Sequence, residues 1–252
     1  MPKIINHLFS EDKVLHQQVR TKLVLTSPKL VSIKPVHEIE VDDVTEQAQV
    51  SRSTFYKCFR SVDDLLNISA KQAAQELMPP IVSTASTILD VPMRLATKTR
   101  IAIGLFTSMP MLGKLMLKTE WPFRDAQHKG YKDVQKDVAQ GIEQGCFTDM
   151  PLEIAVNLVL SSLRGAVRDI IDFPQPQDYE DLVIYHLLLS LGVDTESAQQ
   201  ISKIPLEQLP TFKKKGLVGK FLNLVSWTLQ TCEQTAEEAP LRLTLGSFAL
   251  TV

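Results

Sequence analysis

The chain has 252 residues, with 27 Lys and Arg against 29 Asp and Glu, and a formal net charge of −2. Because 44% of the residues are hydrophobic and 22% are charged, the composition excludes a disordered tail and a low-complexity chain, and it allows one large or two modest domains. No apolar stretch approaches the roughly 20 residues that a membrane-spanning helix needs. No association with a membrane is therefore expected.

The sequence also lacks the motifs of several kinds of signal and site. Polar residues interrupt segment 1–8, where the apolar part of a secretory signal would lie, so a cytoplasmic protein is expected. The three cysteines lie far apart and are odd in number, which argues against a disulfide framework and a zinc site. No nucleophile elbow, phosphate loop or pair of catalytic carboxylates is found, so we expect neither an enzyme nor a bound cofactor or metal.

Apolar residues recur at helical spacing along most of the chain. Leu15, Val19 and Leu23 predict a helix over 11–25. A first helix that runs on to about residue 34 would contain Pro28, which is expected to kink or break it. Asp90 predicts the start of a later helix by acting as its cap. A helix over 124–144 is predicted to end at Gly145, and another over 179–191 to end at Gly192. Between these two, a further helix is predicted to begin after residues 149–151 and to end before residues 174–176. No useful alternating strand pattern precedes residue 240, so the fold class is all-α.

The lengths of the predicted helices divide the chain. They are short before residue 78 and longer after the prolines at 79 and 80. We therefore expect an N-terminal domain over 1–78 and a larger helical domain over 79–195. The helical pattern weakens near residue 196, and 196–252 is treated as a C-terminal extension.

Residues 41–66 form the most informative segment. Two short helices are predicted around a turn of about three residues, with Ser51 as the cap of the second, and this is the spacing of a helix-turn-helix. In the second helix Phe55 and Phe59 point inward, while Arg52 and Tyr56 share the opposite side. Segment 49–61 contains three cations and no acid, whereas residues 1–78 contain ten of each sign. This helix is either a basic helix that enters a DNA groove or an amphipathic helix with a basic solvated face.

The order of residues in the second helix resembles the recognition helix of the TetR family of transcription regulators. Ser51-Arg-Ser-Thr-Phe-Tyr-Lys-Cys-Phe59 carries the resemblance, with a following helix led by Ser61 and containing Leu65-Leu66. The resemblance covers about residues 12–195 and is strongest over 41–66. It implies an all-α protein with an N-terminal three-helix helix-turn-helix domain and a larger C-terminal helical domain for ligand binding and dimerisation.

The resemblance also implies a function and its residues. The protein would be a homodimeric, ligand-responsive regulator, a repressor released from its near-palindromic double-stranded DNA operator by a small apolar effector. The DNA-contacting residues would be Ser51, Arg52, Ser53 and Thr54 at bases or nearby phosphates, and Tyr56 and Lys57 at the phosphate backbone. The effector, whose identity is not specified, would contact Phe106, Met109, Met116, Trp121 and Phe123, although ordinary core packing is the alternative for each of these side chains.

Three residues depart from the family pattern. Gln49 stands where the family has the turn glycine, so a residue with a Cβ must adopt the turn conformation. Glu40 replaces a threonine that touches phosphate, and Val62 replaces a lysine. These departures motivate an alternative: a TetR-like helical dimer with weakened DNA binding that acts through ligand or protein contacts.

Cys58 lies within the predicted recognition helix and allows two interpretations. Neighbouring Lys57 and Arg60 would lower the pKa of its thiol and favour a redox switch. Alternatively, Cys58 is a small residue tolerated beside Phe59.

Overall fold

The computed structural model describes the backbone of residues 2–119, 123 and 126–206, and the side chains within these ranges from residue 15 onward. This part of the chain contains ten α-helices and no strand, so the predicted all-α class is confirmed. The helices are α1 (Pro2–Ile33), α2 (Val41–Ala48), α3 (Arg52–Cys58), α4 (Val62–Thr84), α5 (Val91–Ser108), α6 (Pro110–Lys118), α7 (Lys129–Glu143), α8 (Leu152–Asp172), α9 (Tyr179–Ser190) and α10 (Thr195–Ser202).

The first four helices each contribute buried apolar side chains to the core. Leu23 from α1, Val44 from α2, Phe55 from α3 and Leu65 from α4 have no exposed surface. Helix α1 contacts α2, α3 and α4. The short helices α2 and α3 are held by these contacts, since isolated helices of seven or eight residues are not stable in water.

Two proline sites lie inside helices. Helix α1 continues through Pro28 to Ile33, so the break expected at Pro28 is wrong. Its neighbour Ser27 is fully buried and its hydroxyl lies 2.9 Å from that of Ser69 on α4. Tertiary packing thus outweighs the backbone hydrogen bond that proline removes. Likewise α4 runs through residues 79 and 80, so the expected domain junction falls within a helix.

The remaining helices form the larger part of the fold. Helix α8 contacts α5, α6, α7 and α9, and apolar residues such as Ile101 and Val156 are fully buried among them. Asp90 caps α5, as predicted, by accepting a 2.7 Å hydrogen bond from the Met93 amide. Gly145 and Gly192 have φ values of +70° and +91° just after α7 and α9, the conformation that favours glycine after a helix.

A buried ion network joins α5 to α7. Asp137, which is 2% exposed, accepts hydrogen bonds from Arg94 Nε at 3.0 Å and Lys98 Nζ at 2.7 Å. Lys98 Nζ also donates to Asp133 at 2.7 Å, and Arg94 Nη2 donates to Gln140 at 2.6 Å. Two cations therefore face two carboxylates, and each buried charge has a partner of opposite sign.

Two of the first four helices, α1 and α4, contact the helices that follow them in the chain. Helix α1 contacts α6, and α4 contacts α5, α6 and α7. Helix α1, against which α2 and α3 pack, therefore touches α6 directly.

Within the described residues, no single helix has both the length and the apolar composition to cross a membrane. Helices α5 and α6 meet those criteria only as a pair, and the pair is bent by 106°. Both helices contribute buried side chains to the protein core.

Candidate nucleic-acid interface

The turn between α2 and α3 consists of three residues, as predicted. Gln49 adopts a left-handed conformation with φ 51° and ψ 52°. The Gln49 amide donates to Glu46 O at 3.1 Å, and the Val50 amide donates to Thr45 O at 3.0 Å. These bonds satisfy carbonyls at the end of α2. A residue with a Cβ thus occupies the conformation for which glycine is better suited.

We expect Gln49→Gly to raise the free energy of unfolding by about 0.5–1 kcal/mol. Relief of the left-handed strain, roughly 1–2 kcal/mol, exceeds the added freedom of the unfolded chain, roughly 0.4–1 kcal/mol. Urea denaturation monitored by circular dichroism measures the change. Gln49→Ala is the matched control because it retains the Cβ. Equal stability of the glycine and alanine variants would contradict the strain argument.

The N-terminus of α3 presents a cluster of hydroxyl groups. Ser51 Oγ accepts a hydrogen bond from the Thr54 amide at 3.1 Å, the predicted helix cap. The same oxygen lies 2.8 Å from the hydroxyls of Ser53 and Thr54. Amides and hydroxyls at a helix N-terminus form a favourable site for phosphate, because the helix dipole is positive there.

The side chains of α3 divide into a buried face and an exposed face. Phe55 is 0% and Phe59 is 2% exposed, which confirms that both rings point inward. Tyr56 is 59% exposed. Of the other predicted DNA-contacting residues, Thr54 is half-buried and the following are exposed: Ser51, Arg52, Ser53 and Lys57. The structure therefore brings these six residues together on α3 and at its N-cap.

Arg52 has a partner that sequence reasoning missed. Its Nε and Nη2 groups donate to the two carboxylate oxygens of Asp42, in the first turn of α2. Hydrogen bonding by Arg52 lowers the pKa of Asp42. The pairing joins residues on two different helices, so it depends on the docking of α2 against α3.

The C-terminal end of α3 is held by α1, another feature that sequence reasoning missed. Arg20 Nη1 donates to Cys58 O at 2.7 Å, and its guanidinium lies 4.4 Å from the centre of the Phe59 ring. His16 Nε2 lies 3.2 Å from Lys57 O. A cation at this end of the helix interacts favourably with the negative end of the helix dipole. These contacts hold the C-terminal end of α3 against α1.

Cys58 does not have the lowered pKa that a redox switch would need. Burial raises the pKa of its thiol, and the opposing influence of Arg20 is smaller. Cys58 is half-buried and its sulfur lies 3.7 Å from His16 Nε2. Of the two interpretations of Cys58, the raised pKa favours a small residue beside Phe59, because burial of the thiol outweighs the nearby positive charge.

Asp43, an acidic residue at the start of α2, forms contacts within the protein. Asp43 forms an ion pair with Lys34 and accepts a 2.9 Å hydrogen bond from the Glu40 amide. Lys34 lowers the pKa of Asp43. These contacts cap the start of α2, where negative charge is favoured by the helix dipole. Lys57 and Arg60, in contrast, are exposed.

The residues expected to contact an effector lie in the core around α5 and α6. Phe106 and Met116 are fully buried, and Met109 and Phe123 are 4% and 3% exposed. The rings of Phe106 and Phe123 lie 5.9 Å apart in an edge-to-face arrangement. Trp121 lies outside the described residues. Met109 and Met116 are buried in the same core, and an effector contact with these four side chains stays a prediction.

Two cavities are lined by other residues. One of about 530 Å³ lies between α5 and the chain around α10, where Met93, Ala96 and Ile201 line it. The second, of about 410 Å³, lies between α6 and α8 and is bordered by cations that include Lys114 and Arg164. In the described ranges no group of three His, Cys, Asp or Glu side chains is arranged to hold a metal ion.

Comparison with known proteins finds similarity at the level of structure. No protein-family model matches the sequence, and no curated protein matches it. The structure of RolR without ligand aligns with a TM-score of 0.63 and 20% identity, covering 77% of this chain and 100% of that chain. The complex of RolR with resorcinol aligns with a TM-score of 0.57 at the same identity, covering 77% and 97% of the two chains.

Two further solved structures carry the family name. A protein from Shewanella sp. PV-4, described as a TetR-family transcription regulator, has a TM-score of 0.61 and 17% identity over 70% of this chain and 99% of its own. A protein from Vibrio parahaemolyticus with the same description has a TM-score of 0.53 and 17% identity over 69% and 98% of the two chains. The chain described here thus has the fold of the TetR-family transcription regulators.

Proposed function

We propose that the protein is a homodimeric, ligand-responsive transcription regulator that binds DNA through α3. The observation that carries this proposal is the division of α3 into a fully buried aromatic face and an exposed face of hydroxyls, cations and a phenol. Residues 1–78 form the DNA-binding part, 79–195 bind the effector and the second protomer, and 196–252 extend the chain. Repression in the cytoplasm, relieved by an effector, is the proposed outcome.

On DNA, the N-terminal end of α3 would enter the major groove. Arg52 offers paired N–H groups to a base, and Ser51, Ser53 and Thr54 lie where hydroxyls meet bases or phosphates. Tyr56 and Lys57 would contact the phosphate backbone. Two protomers would present their α3 helices about 34–36 Å apart, one helical turn of DNA, to a near-palindromic operator.

The dimer would form through α8 and α9. These helices lie side by side, and the Tyr179 hydroxyl donates a 2.9 Å hydrogen bond to Asp169 between them. Ile154 on α8 is 53% exposed and Leu182 on α9 is 44% exposed. Near the middle of α8, the Cβ direction of Gly165 is open. Exposed apolar side chains, together with a small residue at which a backbone can approach, allow two helices from a second copy to pack here.

A small apolar effector would act within the larger helical part. The RolR structure in complex with resorcinol supports ligand binding in this fold, and a cavity of about 530 Å³ lies within the range of small-molecule sites. The predicted effector contacts do not line this cavity; they lie in the buried core of α5 and α6 and just beyond α6, and are Phe106, Met109, Met116 and Phe123. Because α6 contacts α1, an effector that favours another position of α6 would change the spacing of the two α3 helices. Its influence on DNA binding would equal its differential affinity for the two arrangements.

We expect the protein to retard specific duplexes from around its own gene in a gel-shift titration, with affinity falling as salt rises. Arg52→Ala combined with Lys57→Ala should abolish this binding while the fold is retained, because both side chains are exposed. In Lys57→Ala alone, the homodimer loses two phosphate contacts, one from each protomer, so the magnitude of the slope of log affinity against log salt should fall by about 1.8.

The matched control is Lys71→Ala, which removes an exposed cation from α4 outside the proposed interface. It should leave the affinity close to that of the wild type. Equally weak retardation of every duplex by the wild-type protein would contradict operator binding and support a helical dimer that acts through ligand or protein contacts.

A further inference from the structure

The guanidinium of Arg52 is held along one edge. Its Nε donates to Asp42 Oδ1 and its Nη2 to Asp42 Oδ2, a side-on pair. A guanidinium has five N–H groups in one plane. The side-on pair occupies one edge and leaves the terminal edge, formed by Nη1 and Nη2, with two N–H groups. Among the residues that the structure describes, this terminal edge has no hydrogen-bond partner.

The pair lies on the surface proposed to face DNA. The side chains of Arg52 and Asp42 are 65% and 57% exposed. The backbones that carry Arg52 and Asp42 are fixed, since Ser51 caps α3 and the Asp43 carboxylate caps α2. The ion pair therefore orients the plane of the guanidinium relative to α3.

The orientation of the guanidinium determines whether Arg52 contacts a base or a phosphate of the DNA. Recognition of guanine requires two parallel N–H groups directed at O6 and N7, which the terminal edge supplies. An arginine held in place loses less rotational freedom when it forms such a contact. Asp42 also balances the charge of Arg52 and so weakens its attraction to phosphates, which carry no sequence information.

We propose that Asp42 is a positioning residue that directs Arg52 to guanine and sets the sequence discrimination of the protein. This inference rests on the proposed DNA-binding function. Hydrogen bonding by Arg52 keeps the pKa of Asp42 below its usual value, so the carboxylate stays ionised near neutral pH. Asp42 thus raises specificity although its own negative charge opposes DNA binding.

The test begins with duplexes selected from a randomised library by the wild-type protein. Affinities are then measured for the selected duplex and for copies in which single G·C pairs are changed to A·T. We expect Asp42→Asn to lose about tenfold of the discrimination at one G·C pair in each half-site, since a good bidentate base contact provides discrimination of this order. Binding to unrelated duplexes should stay equal or become tighter, because a negative charge has been removed.

Two variants complete the experiment. Glu46→Gln removes the same charge from the exposed surface of α2 one turn further on and should change all affinities in parallel. Arg52→Lys, in which a single ammonium group replaces the paired N–H groups of the guanidinium, should lose the same discrimination as Asp42→Asn. The double variant that carries both substitutions should lose no more discrimination than either one. If Asp42→Asn instead tightens all duplexes by one common factor, like Glu46→Gln, the positioning role is overturned. If the library yields no preferred sequence with the wild-type protein, the proposed function itself fails.

Discussion

Replacing Phe55 by alanine is expected to lower the free energy of unfolding of the helix-turn-helix part by about 3–5 kcal/mol, the usual cost of removing a buried phenylalanine ring. Phe55 has no exposed surface, and its ring lies 6.0 Å from that of Phe59. Because these rings attach α3 to the core, specific DNA binding should be lost with the packing. Urea denaturation and a gel-shift titration measure the two effects.

The neighbouring residue provides the matched control. Tyr56 is 59% exposed, and Tyr56→Phe removes its hydroxyl while keeping the ring that contacts Phe55 edge to face. Stability should change by less than about 0.5 kcal/mol, while the affinity for DNA falls several-fold through loss of a phosphate contact. The division of α3 into two faces would be wrong if the tyrosine variant were as unstable as the alanine variant.

A second large effect is expected at Asp137. Changing it to asparagine leaves Arg94, whose side chain is 12% exposed, without its carboxylate partner, and Lys98, which is 9% exposed, with Asp133 alone. Breaking a buried ion pair by neutralising one partner costs about 3–5 kcal/mol. For a chain of this size, a loss of about 3 kcal/mol lowers the melting temperature by roughly 6–12 °C. Differential scanning calorimetry measures this change.

The same substitution at an exposed pair serves as the comparison. Asp42→Asn removes the partner of Arg52 at a site where the side chains are 65% and 57% exposed. Exposed ion pairs contribute little to stability because water and salt screen them, so the melting temperature of this variant should stay near that of the wild type. Equal destabilisation by the two substitutions would show that burial does not set the strength of the α5–α7 network.

Local features of the fold could be predicted from the sequence. Ser51, Ser61 and Asp90 each accept a hydrogen bond from a backbone amide three residues further on. Such caps depend only on neighbouring residues, as does the period that places Phe55 and Phe59 on one face. This is why the turn, its flanking helices and the exposed residues of α3 were predicted correctly.

Features that depend on helix docking were missed. Arg52 and Asp42 lie on different helices, and Arg20 reaches Cys58 across 38 positions of sequence. The signal for the buried network was present as charges four residues apart on α5 and on α7, but their pairing depends on how these helices pack. Pro28 shows the same principle, because the burial of its neighbours keeps α1 intact where local preference would end it.

Dimethyl sulfate protection of guanine N7 on a selected duplex tests the central claim most directly, because this atom lies in the major groove. If α3 of each protomer enters the groove, guanines should be protected in two half-sites one helical turn apart, and Arg52→Ala with Lys57→Ala should remove the protection without unfolding the protein. Guanines that stay fully reactive at saturating wild-type protein would contradict recognition of DNA by α3.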